Sequence, residues 1–109
     1  MSQIEIAQQI IAAYERHGWK LRRVLARPSS REEFKSSEDV FPEAALIDAE
    51  IDALWFARPS HAEREAWELR LIAKQAYALF EAFESDETEE DREAARREME
   101  NKMRDYANR

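Results

Sequence analysis

The sequence contains no cysteine and only one glycine among its 109 residues. Without thiols, the chain has no disulfide framework, no thiolate metal site and no cysteine nucleophile. The single glycine, Gly18, is too few for the loops that cradle phosphate groups. The Gly-x-Ser-x-Gly turn of many serine hydrolases is also missing. These gaps remove most of the motifs by which an enzyme or a nucleotide-binding protein is recognised.

The sequence also lacks long apolar runs and a basic start. No stretch approaches the about 20 apolar residues that a membrane-spanning helix needs. The first eleven residues contain Glu5 and no lysine or arginine, unlike a signal peptide. We therefore expect a cytoplasmic protein that does not bind membranes. The length of 109 residues fits one domain, 1–109.

Charge is abundant and unevenly distributed. Charged residues make up 38% of the chain, and the net charge is −7. Residues 1–31 hold six basic and two acidic side chains, whereas the remainder is acidic. An acidic protein is repelled by phosphate backbones, so we predict no nucleic-acid partner. We expect the basic segment around Arg22 and Arg23 to face the acidic stretch 48–52 of the same chain instead.

Two segments have the pattern of helices. In residues 3–17, apolar side chains recur at helical spacing, and Ser2 with Glu5 has the spacing of a capping box. Gly18 follows where a helix end favours a left-handed residue. Residues 87–107 begin with acids and continue with bases, the order that suits the helix dipole.

Four segments between the helices are interpreted as strands, the first three because apolar and polar residues alternate and the last because it is rich in strand-forming residues. They are residues 19–26, 47–58, 65–72 and 77–83. The stretch 27–46 between the first two is interpreted as a connection. The pattern predicts a small α+β domain with the order α-β-β-β-β-α and an antiparallel sheet of about four strands.

An all-helical reading competes with this fold. Residues 61–84 also match one long helix, with Ser60 and Glu63 as its capping box. The hairpins that the strands require contain no glycine, which supports the helical reading. The alternative fold is therefore an all-α bundle of four or five helices, and the sequence does not decide whether 61–84 is two strands or one helix.

Candidate chemical sites are few and have simple structural explanations. Asp48, Glu50 and Asp52 would project from one face of a strand, where three carboxylates bind hard cations in some proteins. His61 precedes Glu63 but lacks the second histidine of a zinc helix. We interpret both groups as solvated side chains. The sequence predicts no catalytic, metal-binding or cofactor-binding residue, no cofactor and no small-molecule ligand.

An apolar sheet face provides the one candidate binding surface. If both terminal helices cover the same face of the sheet, Leu54 and Phe56 point away from them, with Arg58 at the rim. We predict that these three residues bind a partner. The expected function is a small non-catalytic protein-interaction or accessory module, whose partner is another protein or a second copy in a homodimer. The alternative is an enzyme that uses surface carboxylates for acid/base or metal-assisted chemistry.

Overall fold

The computed structural model of the protein describes residues 2–37, 39–41 and 44–108. Over these residues the chain forms three α-helices, five strands and one 3-10 turn. In chain order the helices and strands are α1 (Gln3–Glu15), β1 (Lys20–Ala26), α2 (Pro28–Lys35), β2 (Ala45–Asp48), β3 (Ala53–Pro59), β4 (Glu65–Leu71), β5 (Ala78–Phe83) and α3 (Glu89–Ala107).

The five strands form one mixed sheet in the order β2-β1-β3-β4-β5. Strands β1 and β2 are parallel, and the other neighbours are antiparallel. Helices α1 and α2 pack on one face of the sheet, and α3 packs on the other. The predicted α+β fold with N- and C-terminal helices is confirmed, and the all-helical alternative is wrong. The sheet differs from the prediction in having a fifth, parallel strand.

The sheet separates two clusters of buried apolar side chains. The α1-side core contains Ile6, Ala7, Ile10, Ile11, Trp19, Leu21, Val24, Ala26, Phe34, Phe41, Leu54, Phe56, Ala66 and Ile72. The α3-side core contains Leu25, Ile51, Ala53, Trp55, Ala57, Trp67, Leu69, Phe83, Met99 and Met103. The three inner strands, β1, β3 and β4, contribute residues to both cores, because successive side chains of a strand point to opposite faces.

Helix α1 begins and ends where its sequence favours it. The Ser2 hydroxyl accepts a hydrogen bond from the Glu5 N–H at 3.2 Å, and the Glu5 carboxylate accepts one from the Ser2 N–H at 3.3 Å. This is the predicted capping box. Gly18 follows the helix with a φ of 83°, a left-handed conformation that glycine adopts without strain.

Helix α3 is the longest helix and carries charge along most of its surface. The Thr88 hydroxyl accepts a hydrogen bond from the Asp91 N–H at 3.1 Å and caps the first turn. Arg96, Met99 and Met103 are its buried side chains. In the described part of the chain, no helix is long and apolar enough to cross a membrane.

The predicted strand 47–58 is two strands that pair on opposite sides of β1. Strand β2 ends at Asp48 and β3 begins at Ala53, and β1 lies between them in the sheet. The alternating pattern continues across the break because Ile51 stays buried in the connecting turn. Asp52, predicted to be solvated, is buried there as well, with 4% exposure.

The predicted connection 27–46 contains helix α2. Pro28 occupies its first turn, where the missing N–H of proline is harmless. Phe34 is the buried residue of this helix and anchors it in the α1-side core. Because a parallel pair needs a crossover, α2 explains how β2 returns beside β1 in the parallel sense.

The β3–β4 hairpin turns without glycine. Ala62 and Glu63 adopt φ values of 57° and 60° in the short 3-10 turn between the strands. This left-handed conformation is unfavourable for residues with a side chain, by about 1–2 kcal/mol each. The seven paired residues of each flanking strand hold the hairpin closed despite that strain.

Candidate functional site

The predicted partner-binding pair, Leu54 and Phe56, lies inside the protein. Both residues have 0% exposure, and the Phe56 ring stacks on the Tyr14 ring of α1 with 4.2 Å between centroids. The prediction that this pair faces outward is therefore wrong. It assumed that both terminal helices cover one face of the sheet, whereas α1 and α3 cover opposite faces.

Arg58, the third predicted partner-binding residue, does lie at the surface. Its guanidinium stands 4.4 Å from the centroid of the Trp19 ring and donates a hydrogen bond to the backbone oxygen of His17 at 2.5 Å. The side chain thus fastens the turn after α1 to β3. Because Leu54 and Phe56 are buried, Arg58 does not border an exposed apolar surface formed by them.

The outer edge of β5 is a surface where backbone groups remain available. Among the described residues β5 pairs only with β4, so it ends the sheet on that side. The Leu71 N–H donates to the Tyr77 oxygen at 3.0 Å, and this register continues along the whole of β5. Because hydrogen-bonded and non-hydrogen-bonded pairs alternate in antiparallel strands, Leu79 and Glu81 direct their backbone groups toward β4.

Three residues of β5 therefore turn their backbone N–H and C=O groups outward: Ala78, Phe80 and Ala82. Within residues 2–37, 39–41 and 44–108, no hydrogen bond satisfies these outward groups. The next residue in this outward series is Glu84, and its backbone groups already have hydrogen-bond partners. Its N–H donates to the Glu87 carboxylate and its oxygen accepts from Arg92, both at 2.8 Å. The open edge therefore ends at Glu84, where side chains of the same chain bond to the backbone.

Phe80 is an exposed aromatic residue in the middle of this edge. Its exposed fraction is 57%, and its ring is perpendicular to the Trp19 ring, with 6.4 Å between centroids. It pairs with Glu68 of β4, whose carboxylate accepts a hydrogen bond from Tyr14 of α1. Helix α1 thus reaches as far as β4, and Phe80 lies beyond its cover. The residues on either side of Phe80 along the open edge are small alanines.

The opposite edge of the sheet is less suited to pairing. Strand β2 has four residues, against six in β5. Its exposed apolar residue, Ile47, has 37% exposure, and the following Asp48 forms an ion pair with Arg31. Short edges that end in charged side chains are a common protection against further strand pairing. By comparison, β5 is longer and carries a single charge, Glu81.

A cleft of about 450 Å³ lies where the start of α1 meets the end of α3, and Asp52 is in its wall. The Asp52 carboxylate accepts hydrogen bonds from the Arg27 N–H at 2.8 Å, the Ser30 hydroxyl at 2.7 Å and the Gln3 amide at 3.1 Å. It thereby supplies the cap that the first residues of α2 do not provide themselves. Asp52 is a structural acceptor that joins α1, α2 and β3.

The other two acids of the predicted group serve elsewhere. Asp48 pairs with Arg31, and Glu50 lies 3.4 Å from Arg104 of α3. His61 is exposed in the β3–β4 turn. In the part of the chain that the structure describes, no three histidine, aspartate or glutamate side chains are grouped to hold a metal ion.

Arg23 of β1 binds α3 rather than the acidic stretch 48–52, whereas Arg27 and Arg31 of the same basic segment do pair with that stretch, at Asp52 and Asp48. Arg23 donates two hydrogen bonds to the Glu93 carboxylate, at 2.8 and 3.0 Å. Arg96, with 2% exposure, contacts the same carboxylate at 3.3 Å and stands 4.0 Å from the centroid of the Trp67 ring. The predicted partner of Arg23 was therefore wrong, and these charges fasten α3 to the sheet.

This network makes stability depend on pH. The hydrogen bonds from Arg23 hold the pKa of Glu93 below its ordinary value of 4.5, and Arg96 adds attraction. A lowered folded-state pKa stabilises the fold above pH 4.5, and that contribution is lost as the pH falls through the folded value. We expect Glu93→Gln to be less stable than the wild type at pH 7, with a difference that shrinks steadily below pH 4.5.

Urea unfolding at a series of pH values measures that difference. Glu98→Gln is the matched control, because it removes an exposed carboxylate from the same helix. A Glu93→Gln difference that stays constant between pH 7 and pH 3 would show that the Arg23 pair does not stabilise the fold.

The position of Phe80 within its strand distinguishes it from the neighbouring aromatic residues in the sequence. In residues 77–83, Tyr77, Leu79 and Phe83 share one parity, and the structure packs all three on the α3 side. Phe80 is the one aromatic residue of the other parity. The last strand of a predicted meander is also an edge unless a partner covers it. These two facts point to Phe80, whereas Leu54 and Phe56 lie in the central strand β3.

Comparison with known proteins adds no relative: no family model, no curated protein and no solved structure matches the chain.

Proposed function

We propose that the chain is a non-catalytic protein-interaction module that binds an extended segment of another polypeptide along the open edge of β5. The observation that carries this proposal is the combination at Ala78–Phe83 of outward backbone groups that have no partner among the described residues and a Phe80 side chain that is 57% exposed. Strand addition uses such an edge: backbone hydrogen bonds supply affinity, and side chains at alternate positions supply selectivity.

The partner segment should be extended and apolar on one face. Its backbone would pair with the outward groups of Ala78, Phe80 and Ala82. Its side chains on the α1 face would lie against Phe80, whose ring packs against the Trp19 ring. Burying an exposed aromatic ring adds a hydrophobic contribution to the backbone hydrogen bonds. The small alanines on either side leave room for larger partner side chains.

The carboxylates give less support to the enzyme alternative. Asp52, the acid buried in the cleft, is engaged by a backbone N–H, a hydroxyl and an amide. Glu50, also in the cleft wall, faces Arg104. Both groups therefore have structural partners, whereas the outward groups of β5 have none among the described residues. This contrast is why we place the function at the edge.

Panning of displayed peptides tests the proposal. Random peptides of about twelve residues, twice an average strand length, are selected on wild-type protein immobilised at low density. We expect enriched peptides to carry apolar residues at alternate positions. We expect their binding to weaken about tenfold or more in Ala82→Pro, which removes one outward N–H at a position where an edge strand tolerates proline.

Ile47→Glu serves as the control, because it changes an exposed residue of the opposite edge. Peptides should bind this variant and the wild type equally well. Enriched peptides that bind Ala82→Pro as tightly as the wild type would place the binding surface elsewhere. The absence of any enriched peptide would contradict the proposed function itself.

A further inference from the structure

We infer that the segment added to β5 is the β5 strand of a second copy of the chain. The inference rests on the proposed function, since it names the partner of the same edge. Two sheets of the order β2-β1-β3-β4-β5 would then join, β5 to β5, into one continuous sheet. The support comes from symmetry, from the direction of the backbone groups and from the charges along the strand.

Symmetry restricts the register. Two copies of one edge strand pair antiparallel when a two-fold axis stands perpendicular to the sheet. Such an axis keeps the α1 face of both copies on the same side. Directly opposed residues of two strands share a face, and residues of one face alternate along each strand. Phe80 can therefore oppose the partner's Phe80, the partner's Ala78 or the partner's Ala82, but not the partner's Leu79.

The outward backbone groups select one of these registers. With Phe80 opposite the partner's Phe80, Ala78 opposes the partner's Ala82 and Ala82 opposes the partner's Ala78. All three outward residues then exchange both of their hydrogen bonds, giving about six in total. The strand fits its own copy because the open positions are spaced evenly about Phe80.

Shifting the strands by one permitted step is worse in either direction. Toward the end of β5, Ala78 would oppose the partner's Glu84, whose backbone groups already bond to side chains of its own chain. The same shift sets Glu81 against the partner's Glu81, and like charges directly opposed are unfavourable. Toward the start of β5, Ala82 would oppose the partner's Ala76, which lies outside the strand.

Side chains agree with the register centred on Phe80. The two exposed phenyl rings meet on the α1 face, where each covers apolar surface of the other. On the α3 face, Glu81 opposes the partner's Leu79 and not another acid. An aromatic residue that is 57% exposed in a single copy thus becomes the centre of a symmetric contact.

Charge and area predict a weak dimer that salt strengthens. Each copy carries a net charge of −7, so two copies repel each other until ions screen them. The pairing edge has six residues, which is a small contact compared with stable interfaces. Self-association should therefore increase with ionic strength, the reverse of an interface held by opposite charges.

Sedimentation equilibrium tests the dimer at protein concentrations from about 5 to about 500 µM, the range that weak association requires. We expect wild type to pass from monomer to dimer over this range, and more readily at high salt. Phe80→Glu should raise the dissociation constant at least about tenfold, because the two new charges oppose each other. Ile47→Glu, at the other edge, should behave as wild type does. Circular dichroism checks that each variant is folded.

Single-cysteine variants test the register. The chain has no cysteine of its own, so an introduced thiol can pair only with the same position in another copy. In a hydrogen-bonded pair the Cα atoms are about 5.5 Å apart, within disulfide range. Phe80→Cys should cross-link under mild oxidation. Ala82→Cys should not, because the two copies of that position are offset by four residues, about 13 Å along the strand.

The outcomes separate this inference from the proposed function. A wild type that stays monomeric over the whole range, yet binds selected peptides at β5, overturns the second-copy inference and leaves the proposed function standing. A dimer that dissociates in Ile47→Glu but not in Phe80→Glu overturns the inference as well. Cross-linking at Glu81→Cys in place of Phe80→Cys would contradict the register. Dissociation by Phe80→Glu together with cross-linking at position 80 supports the inference.

Discussion

Replacement of Asp52 by alanine is expected to lower the free energy of unfolding by about 3 kcal/mol. The Asp52 carboxylate is buried and accepts hydrogen bonds from the backbone of Arg27, the hydroxyl of Ser30 and the amide of Gln3. Alanine leaves all three donors without this acceptor and opens the start of α2. Few single substitutions remove contacts to three separate segments at once.

Urea unfolding of wild type, Asp52→Ala and Asp52→Asn measures this loss. The asparagine variant keeps one acceptor oxygen and should fall between the other two. Asp48→Ala is the matched control, because Asp48 is an exposed acid whose ion pair with Arg31 lies at the surface. Its effect should be within about 0.5 kcal/mol of zero. Equal losses in Asp52→Ala and Asp48→Ala would refute a structural role for Asp52.

Trp67→Ala should lower the free energy of unfolding by about 3–5 kcal/mol. The Trp67 ring is buried in the α3-side core, with 4% exposure, and meets the Trp55 ring edge to face at 5.8 Å. It also covers the Arg96 guanidinium, which lies over its face. Truncation of Trp67 would therefore leave a cavity and would also expose the buried guanidinium of Arg96.

The comparison for Trp67→Ala is Phe80→Ala, which truncates an exposed aromatic residue in the neighbouring strand. Chemical denaturation at low protein concentration, where both variants are monomers, should give a loss of about 1 kcal/mol or less for Phe80→Ala. If Trp67→Ala were no more destabilising than Phe80→Ala, the result would contradict the burial of Trp67 between α3 and the sheet.

Local patterns were sufficient to predict most helices and strands. The capping box at Ser2 and Gly18 delimit α1 through contacts within a few residues, so the sequence carries them directly. Strands β4 and β5 lie within one residue of the predicted segments 65–72 and 77–83, although the sequence left one long helix open as the alternative there. In each case the signal and the structure that it specifies are close together in the chain.

Features that depend on distant contacts were not predictable in this way. The turn between β2 and β3 is held by Asp52, whose hydrogen-bond partners are 22 to 49 residues away. Alternation therefore continued across a break that only the folded chain defines. The left-handed turn at Ala62 and Glu63 was also not predictable, because the sequence has no glycine or asparagine there. The paired strands on either side impose this conformation.

The candidate site could be predicted only in part. Parity separates Phe80 from its aromatic neighbours, and that much is readable from residues 77–83. The exposure of Phe80 depends on which face each terminal helix covers. Nothing local to 3–17 or 87–107 specifies that choice, which is why Leu54 and Phe56 were assigned to the surface. A helix stripe shows that a helix packs but not against which face.

The separation of the interior into two cores gives the molecule a native spectroscopic reporter on each side of the sheet. Trp19 lies in the α1-side core beside Phe80, whereas Trp55 and Trp67 lie in the α3-side core. Variants that retain one indole would emit from a known layer. Coincident fluorescence transitions would show that both layers melt as one cooperative unit. Displaced transitions would show that one helical layer detaches while the other remains on the sheet, a partial opening that bulk stability measurements average away.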